Sequence, residues 1–263
     1  MTAPLTERSA TVTDAVKLQR RAERAAAHRF LAEGPNLIEA AVRRGVVERV
    51  FATETAATRH HELLDGLAVV PVTERAMKAL SDTVTPSGLV AVCRQPQVAL
   101  DRVLAGDPAL IAVAADTSDP GNAGTLIRLA DAMGAEAVVF AGDAVDPYNG
   151  KCVRSSAGSI LSVPVVCEPD TVAVIDRLRA AGLQVLATTL DGEVTLDEVE
   201  AELARPTAWL FGPEAHGLSA AVAARADRRV VIPMAGAAES LNVAAAAAIC
   251  LYQSAHARRG LVP

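Results

Sequence analysis

Leu110-Ile111-Ala112-Val113-Ala114-Ala115 is an unbroken apolar run that stops at Asp116-Thr117-Ser118-Asp119-Pro120-Gly121-Asn122. A strand wet on one face alternates polar and apolar residues. This one does not, so it reads as a strand covered on both faces, as in a parallel sheet. Pro-Gly-Asn forms a tight turn, with Asn122 as a candidate cap for a helix over 123–133. The same unit then recurs. Strands are expected at 136–141, 161–165, 183–188, 207–211 and 229–232. Helices are expected near 148–155 and at 171–181, 195–203, 217–225 and 241–257. The fold class is α/β, with a parallel sheet of six strands over residues 108–263.

Upstream, Gln95–Asp107 holds Pro96 and Gly106 and few long apolar runs, and residues 96–107 read as a linker. Before it, 1–95 reads as a small α/β domain. A polar start over 1–12 leads into a helix over Thr13–Arg29. A helix begins at Pro35 and stops at Gly45. Strands Val46–Ala52, Val69–Val72 and Leu89–Arg94 are separated by helices His60–Leu64 and Glu74–Leu80.

The 263 residues are 51% apolar and 21% charged, which excludes a disordered chain. Aromatics are only 3%, which argues against a sheet that stacks bases on rows of Phe and Tyr. The net charge of −6 excludes a uniformly basic nucleic-acid binder, but it is unevenly spread. Residues 1–105 carry 14 Lys/Arg against 12 Asp/Glu, and 106–263 carry 11 against 19. Lys17, Arg20, Arg21, Arg24 and Arg29 crowd one helical stretch, which reads as a solvated face or as a phosphate-contacting one. Cys93, Cys152, Cys167 and Cys250 show no CxxC or metal spacing, so they are expected as free thiols in a reducing cytoplasm, with no metal. The longest apolar run, Val243–Tyr252, is too short to span a bilayer.

Ligands of open α/β sheets bind beyond the carboxyl ends of the strands, so the loops there carry the candidate chemistry. Arg128 is placed in the first turns of the helix after Asn122. There it would oppose the helix dipole, which points to an external anion; a surface pair with Asp131 is the alternative. Gly121–Leu126 lacks the G-x-G-x-x-G spacing of a dinucleotide site. In Leu210-Phe211-Gly212-Pro213-Glu214-Ala215-His216-Gly217, the glycines allow a close ligand approach, and Glu214 either caps the next helix or takes part in the chemistry. In Ile232-Pro233-Met234 through Glu239-Ser240-Leu241-Asn242-Val243, Ser240 is a candidate cap, with Asn242 in the first turn. Thr188-Thr189-Leu190-Asp191 fits a ligand-lining turn but is a generic strand end. The run Ala244–Ala248 lets another backbone approach closely.

Together and in this order, three segments resemble the SpoU (TrmH) family of the SPOUT RNA methyltransferases. They are Asp119-Pro120-Gly121-Asn122-Ala123-Gly124 with Arg128, Phe211-Gly212-Pro213-Glu214 with Gly217, and Ile232-Pro233-Met234 with Glu239-Ser240-Leu241-Asn242-Val243. The likeness spans about residues 108–258. Phe30-Leu31-Ala32-Glu33-Gly34 and Pro86-Ser87-Gly88-Leu89-Val90-Ala91 are similar to the family's L30e-like substrate-binding domain. The resemblance implies methyl transfer from S-adenosyl-L-methionine to a ribose 2′-hydroxyl of RNA by a homodimer whose C-terminal chain forms a deep trefoil knot. It implies an adenosyl pocket lined by Thr188, Leu210, Gly212, Ile232, Met234 and Leu241. It also implies a catalytic set of Asn122, Arg128, Glu214, Ser240 and Asn242, with RNA held by the first domain. Ribosomal RNA is the expected substrate; a tRNA methyltransferase and a silent RNA-binding assembly factor of the same fold are the alternatives.

Overall fold

The computed structural model describes residues 3–213 and 216–259. The chain divides into two compact units: residues up to Pro96 together with Tyr148–Ser162, and Gln97–Pro147 together with residues from Val163 on.

The first unit carries β1 (Arg29–Glu33), β2 (Val47–Ala52), β3 (Val69–Pro71) and β4 (Leu89–Arg94), in the order β1-β4-β2-β3. β4 runs antiparallel to both β1 and β2, and β3 lies parallel to β2. Val12, Phe51, Met77, Leu80 and Val90 are among the residues of its core. Three expectations are corrected here. The helix expected over Thr13–Arg29 is two helices, Ala10–Lys17 and Arg21–Ala27, and Arg29 already belongs to β1. A helix over Glu54–Arg59, capped by Thr53, precedes the one at His61–Leu64. Tyr148–Ser162 belongs with this unit, its Tyr148 ring centroid lying 5.1 Å from that of Phe30.

The second unit carries β5 (Leu110–Ala115), β6 (Ala137–Ala141), β7 (Val165–Glu168), β8 (Gln184–Thr188), β9 (Val194–Thr195), β10 (Thr207–Phe211) and β11 (Arg228–Val231). They form one sheet ordered β7-β6-β5-β10-β8-β11-β9, parallel throughout. Every residue of β5, β6 and β10 is buried, as their unbroken apolar sequences require. The seventh strand, β9, was not expected. It lies with the short 3-10 turn Glu200–Glu202 where a helix over 195–203 was anticipated. Part of the anticipated linker is also structured: Leu100–Leu104 is helical, and Leu100 is buried in the core of this unit. The last helix, Val243–Arg259, packs along Pro120–Ala132, where the methyl side chains of Ala123, Ala244 and Ala247 let the two backbones approach.

Candidate cofactor and catalytic site

The loops after β5, β8, β10 and β11 lie at one edge of the second unit's sheet. After β5, Asp116 takes a positive φ and accepts the amide of Asp143 at 2.8 Å, joining the ends of β5 and β6. Asp119, not Asn122, caps the next helix: its Oδ1 accepts the Asn122 amide at 2.8 Å, and Pro120 fills the first helical position. The Asn122 side chain reaches toward the last helix. Asn242, not Ser240, caps that helix, its Oδ1 accepting the Ala244 amide at 2.9 Å. With that oxygen committed to the cap, the Asn242 Nδ2 faces the other way and donates to Asn122 Oδ1 at 3.1 Å. Two motifs 120 residues apart are thus joined by a hydrogen bond between side chains.

Arg128 is the ninth residue of the thirteen-residue helix Pro120–Ala132, in its second half rather than its first turns, so the dipole argument does not apply to it. It is exposed, and among the described residues it has neither a hydrogen bond nor an ion pair, with Asp131 or otherwise. Glu214 lies outside the described residues.

An open cleft lies beyond β8, β10 and β11. Thr188, Thr189 and Leu190 line it from the first loop, and Gly212, Pro213 and Gly217 from the second. Val230, Val231, Ile232, Met234, Ser240 and Leu241 line it from the third, with Val243 and Ala246 of the last helix. None of these residues is charged. Five of the six expected pocket residues are therefore brought together. Leu210 is the exception: its side chain is buried in the sheet core, and only its carbonyl is engaged, accepting from Thr188 Oγ1 at 3.1 Å. Gly212 is required by close approach. A Cβ there would meet Gly217 C at 2.6 Å and Leu218 Cγ at 3.0 Å, besides the Leu218 amide nitrogen, so only glycine lets the loop fold back over the end of β10. The loop after β8 is held by Arg229, whose Nε pairs with Glu193 at 2.8 Å while its amide donates to the same carboxylate. That amide, with the guanidinium beside it, holds Glu193 below the ordinary carboxylate range.

Sequence reasoning placed Thr189 and Leu190 in a turn that fits a ligand lining without naming them as pocket residues, and it missed Val230 and Val231. The available signal was position: Thr189 and Leu190 directly follow the end of β8.

Of the five basic residues expected to meet RNA, Arg20 and Arg21 are exposed. Lys17 pairs with Asp14 and Arg29 with Glu48, each at 2.8 Å. Arg24 is corrected. It is 3% exposed, and its Nη1 donates to the carbonyls of Leu18 and Gln19 at 2.9 Å, so its charge is spent inside the unit. Among the described residues there is no group of three His, Cys, Asp or Glu fit to hold a metal, and no helix long and apolar enough to cross a membrane.

Residues 109–252 match the SpoU rRNA Methylase family, and residues 10–91 match the MRM3-like substrate binding domain. The chain is 35% identical to the 23S rRNA (guanosine(2553)-2′-O)-methyltransferase RlmP of Bacillus subtilis, over 92% of this chain and 94% of that protein. It is 40% identical to the 23S rRNA (uridine(2479)-2′-O)-methyltransferase of Streptomyces viridochromogenes, over 66% of this chain and 61% of that protein. Among solved structures it is similar to the SpoU methyltransferase AviRb of Streptomyces viridochromogenes in complex with the cofactor AdoMet. The TM-score is 0.84 at 33% identity, over 96% of this chain and 99% of that one. It is also similar to an AdoMet-bound rRNA methyltransferase of Sinorhizobium meliloti, with a TM-score of 0.82 at 28% identity over 99% of each chain. The three motifs, the sheet that sets them at one edge and these likenesses together establish that the chain belongs to the SpoU rRNA methylase family.

Proposed function

We propose that this protein transfers the methyl group of S-adenosylmethionine to a ribose 2′-hydroxyl of ribosomal RNA. The observation that carries the reading is the uncharged cleft at the same sheet edge as the joined Asn122 and Asn242 motifs, in a chain that matches a 23S rRNA 2′-O-methyltransferase over nearly its whole length. The cleft suits the group. Its walls are mostly apolar and uncharged, it is cradled against Gly212, and one lining residue, Thr189, has a hydroxyl with no partner among the described residues.

Thr188, Gly212, Ile232, Met234 and Leu241 would hold the cofactor, with the backbone of β10 at Leu210 behind them. When bound, the cofactor supplies a methyl already activated on a sulfonium sulfur, whose departure leaves a neutral thioether. The chain must then align the ribose oxygen, whose proton passes to solvent as the O–C bond forms, and stabilise the charge that develops on it. Arg128 does the second: it binds RNA phosphate and faces the developing negative charge. It is not a base, because a guanidinium stays protonated in proteins. The Asn122–Asn242 pair and Ser240 orient the ribose, and Glu214 fixes its loop or pairs with Arg128. An exposed Arg128 with no partner among the described residues suits an active unit that is a homodimer, in which it acts across the interface. The same family reading carries the trefoil knot of the C-terminal chain and a cytoplasmic site of action. Arg20 and Arg21 of the first unit contact RNA phosphates, and Lys17 and Arg29 join them, because exposed ion pairs are weak enough to exchange for a phosphate.

The test is transfer of labelled methyl from S-adenosylmethionine to unmodified 23S rRNA, to tRNA and to neither, with wild type beside Arg128→Ala. Label in 23S rRNA that is lost in the variant is expected. Label confined to tRNA would move the substrate. Cofactor binding without label in any RNA or ribosomal particle would overturn the enzyme reading.

A further inference from the structure

Two adjacent threonines close β8, and their hydroxyls are in opposite states. Thr188 Oγ1 is committed, donating to the Leu210 carbonyl at 3.1 Å. Thr189 Oγ1 is shut off from solvent and has no hydrogen-bond partner among the described residues, although Thr189 lines the cleft. Its backbone is fixed, with the amide donating to the Val230 carbonyl at 3.1 Å. A buried hydroxyl left unpaired destabilises the protein that carries it, and such groups in folded proteins call for an explanation. An apolar side chain would fill the same place in this uncharged, mostly apolar wall without that cost.

We infer that the Thr189 hydroxyl is a cofactor-binding group that pairs only when the cleft is filled. The inference rests on the methyltransferase reading and extends it. In the free protein the hydroxyl is turned away. A threonine side chain has staggered χ1 wells that exchange its hydroxyl with its methyl, so an entering polar group can be met without movement of the fixed backbone. The described cleft walls carry no charge, so the group met is an uncharged one of the nucleoside, a ring nitrogen or a ribose hydroxyl, rather than the amino-acid end of the cofactor. Thr189 then contributes selectivity. A site built to pair with a polar group penalises a ligand that lacks it.

The experiment measures S-adenosylmethionine affinity and the melting temperature of the free, full-length protein for wild type, Thr189→Val and Thr189→Ser. Thr189→Val keeps the shape and removes the hydroxyl. Its affinity is expected to fall about five- to tenfold, the range for losing one hydrogen bond to a buried partner. The free protein should melt no lower than wild type, because an unpaired hydroxyl has been removed. Thr189→Ser should recover most of the affinity. Wild-type affinity in Thr189→Val overturns the inference and leaves the methyltransferase reading standing. A joint fall in affinity and melting temperature that serine does not recover assigns Thr189 a structural role and overturns it too. Failure of the wild type itself to bind the cofactor overturns both readings.

Discussion

Substituting Gly212 by alanine puts the cleft's construction to a quantitative test. Gly212 has no positive φ, so a methyl group there strains nothing in its own backbone, and the whole effect is steric. The added Cβ would sit 2.6 Å from Gly217 C, where ordinary contact begins at 3.4 Å. The loop must therefore retreat by at least about 0.8 Å, since the Leu218 amide nitrogen lies closer still, and its backbone at Gly217 and Leu218 is what has to move. Overpacking of this kind costs about 1–3 kcal/mol when the surroundings hold, and displacement of a binding loop by about 1 Å can cost a hundredfold in function. The expectation for Gly212→Ala is a melting temperature a few degrees lower and cofactor affinity reduced at least about tenfold. Two controls separate steric from backbone effects. Gly217→Ala meets no atom within 4 Å but forces alanine to φ +64, so it should cost about 1 kcal/mol of stability with a smaller effect on affinity. Gly236→Ala, in the loop after β11, has neither a clash nor a positive φ and should match wild type. Calorimetric titration of S-adenosylmethionine with thermal melts reads all three. Gly212→Ala binding as tightly as Gly236→Ala would refute the argument that this loop closes the cleft.

Other expectations follow from particular contacts. Asn242→Asp keeps the oxygen that caps the last helix but loses the donor to Asn122, so melting should hold while methyl transfer falls; Asn242→Ala should lose both, the cap being worth about 0.5–2 kcal/mol. Ser254→Ala removes the acceptor that Trp209 Nε1 reaches at 2.8 Å in the core, and the stranded indole N–H should cost about 1–3 kcal/mol in a denaturant titration. Arg24→Ala should destabilise the first unit and lower melting, whereas Arg20→Ala with Arg21→Ala should leave melting unchanged and weaken RNA binding with a shallower salt dependence, measured by filter binding over a salt series. Burial raises the Cys93 thiol to about 12, and Cys152 and Cys250 are buried too. A thiol reagent at pH 8 should therefore label the native protein at Cys167 alone, and labelling of more than one thiol before unfolding would contradict the packing described.

The second unit was legible because its strands are buried on both faces. Leu110–Ala115 and Ala137–Ala141 have no polar residue to confuse the period, and the loops between such strands are where ligands bind. The first unit was less so. The break between its first two helices contains Leu18-Gln19-Arg20, with neither Gly nor Pro to announce it. The carbonyls of Leu18 and Gln19 are satisfied by Arg24, a tertiary contact that a helical pattern cannot display. That contact also explains why one of the four arginines in this apparently surface-facing basic stretch is spent on structure. β1 alternates properly, with Phe30 and Ala32 buried, but its first residue, Arg29, reads as the end of the basic helix and the four that follow as a short lead into Pro35. The assignment of Tyr148–Ser162 to the first unit was invisible, since nothing in a short helix pattern says which core it joins. It also makes deletion of residues 1–100 a poor test of RNA binding, because the deletion would strip Tyr148 of its partner Phe30. In the candidate site, motif order was readable, but the division of labour within motifs was not. Asp119 and Asn242 take the caps assigned to Asn122 and Ser240, and with those caps in place the two asparagine side chains meet.

The central claim is that the methyl group goes onto a ribose oxygen of ribosomal RNA at a site that depends on Arg128. The most direct test is to incubate unmodified 23S rRNA with the full-length protein and S-adenosylmethionine, digest to nucleosides, and identify the product by mass spectrometry, with Arg128→Ala in parallel. The account predicts a single 2′-O-methylnucleoside, absent with the variant although the variant still binds cofactor. A base-methylated nucleoside, or the same 2′-O-methyl product at undiminished rate from Arg128→Ala, would contradict it.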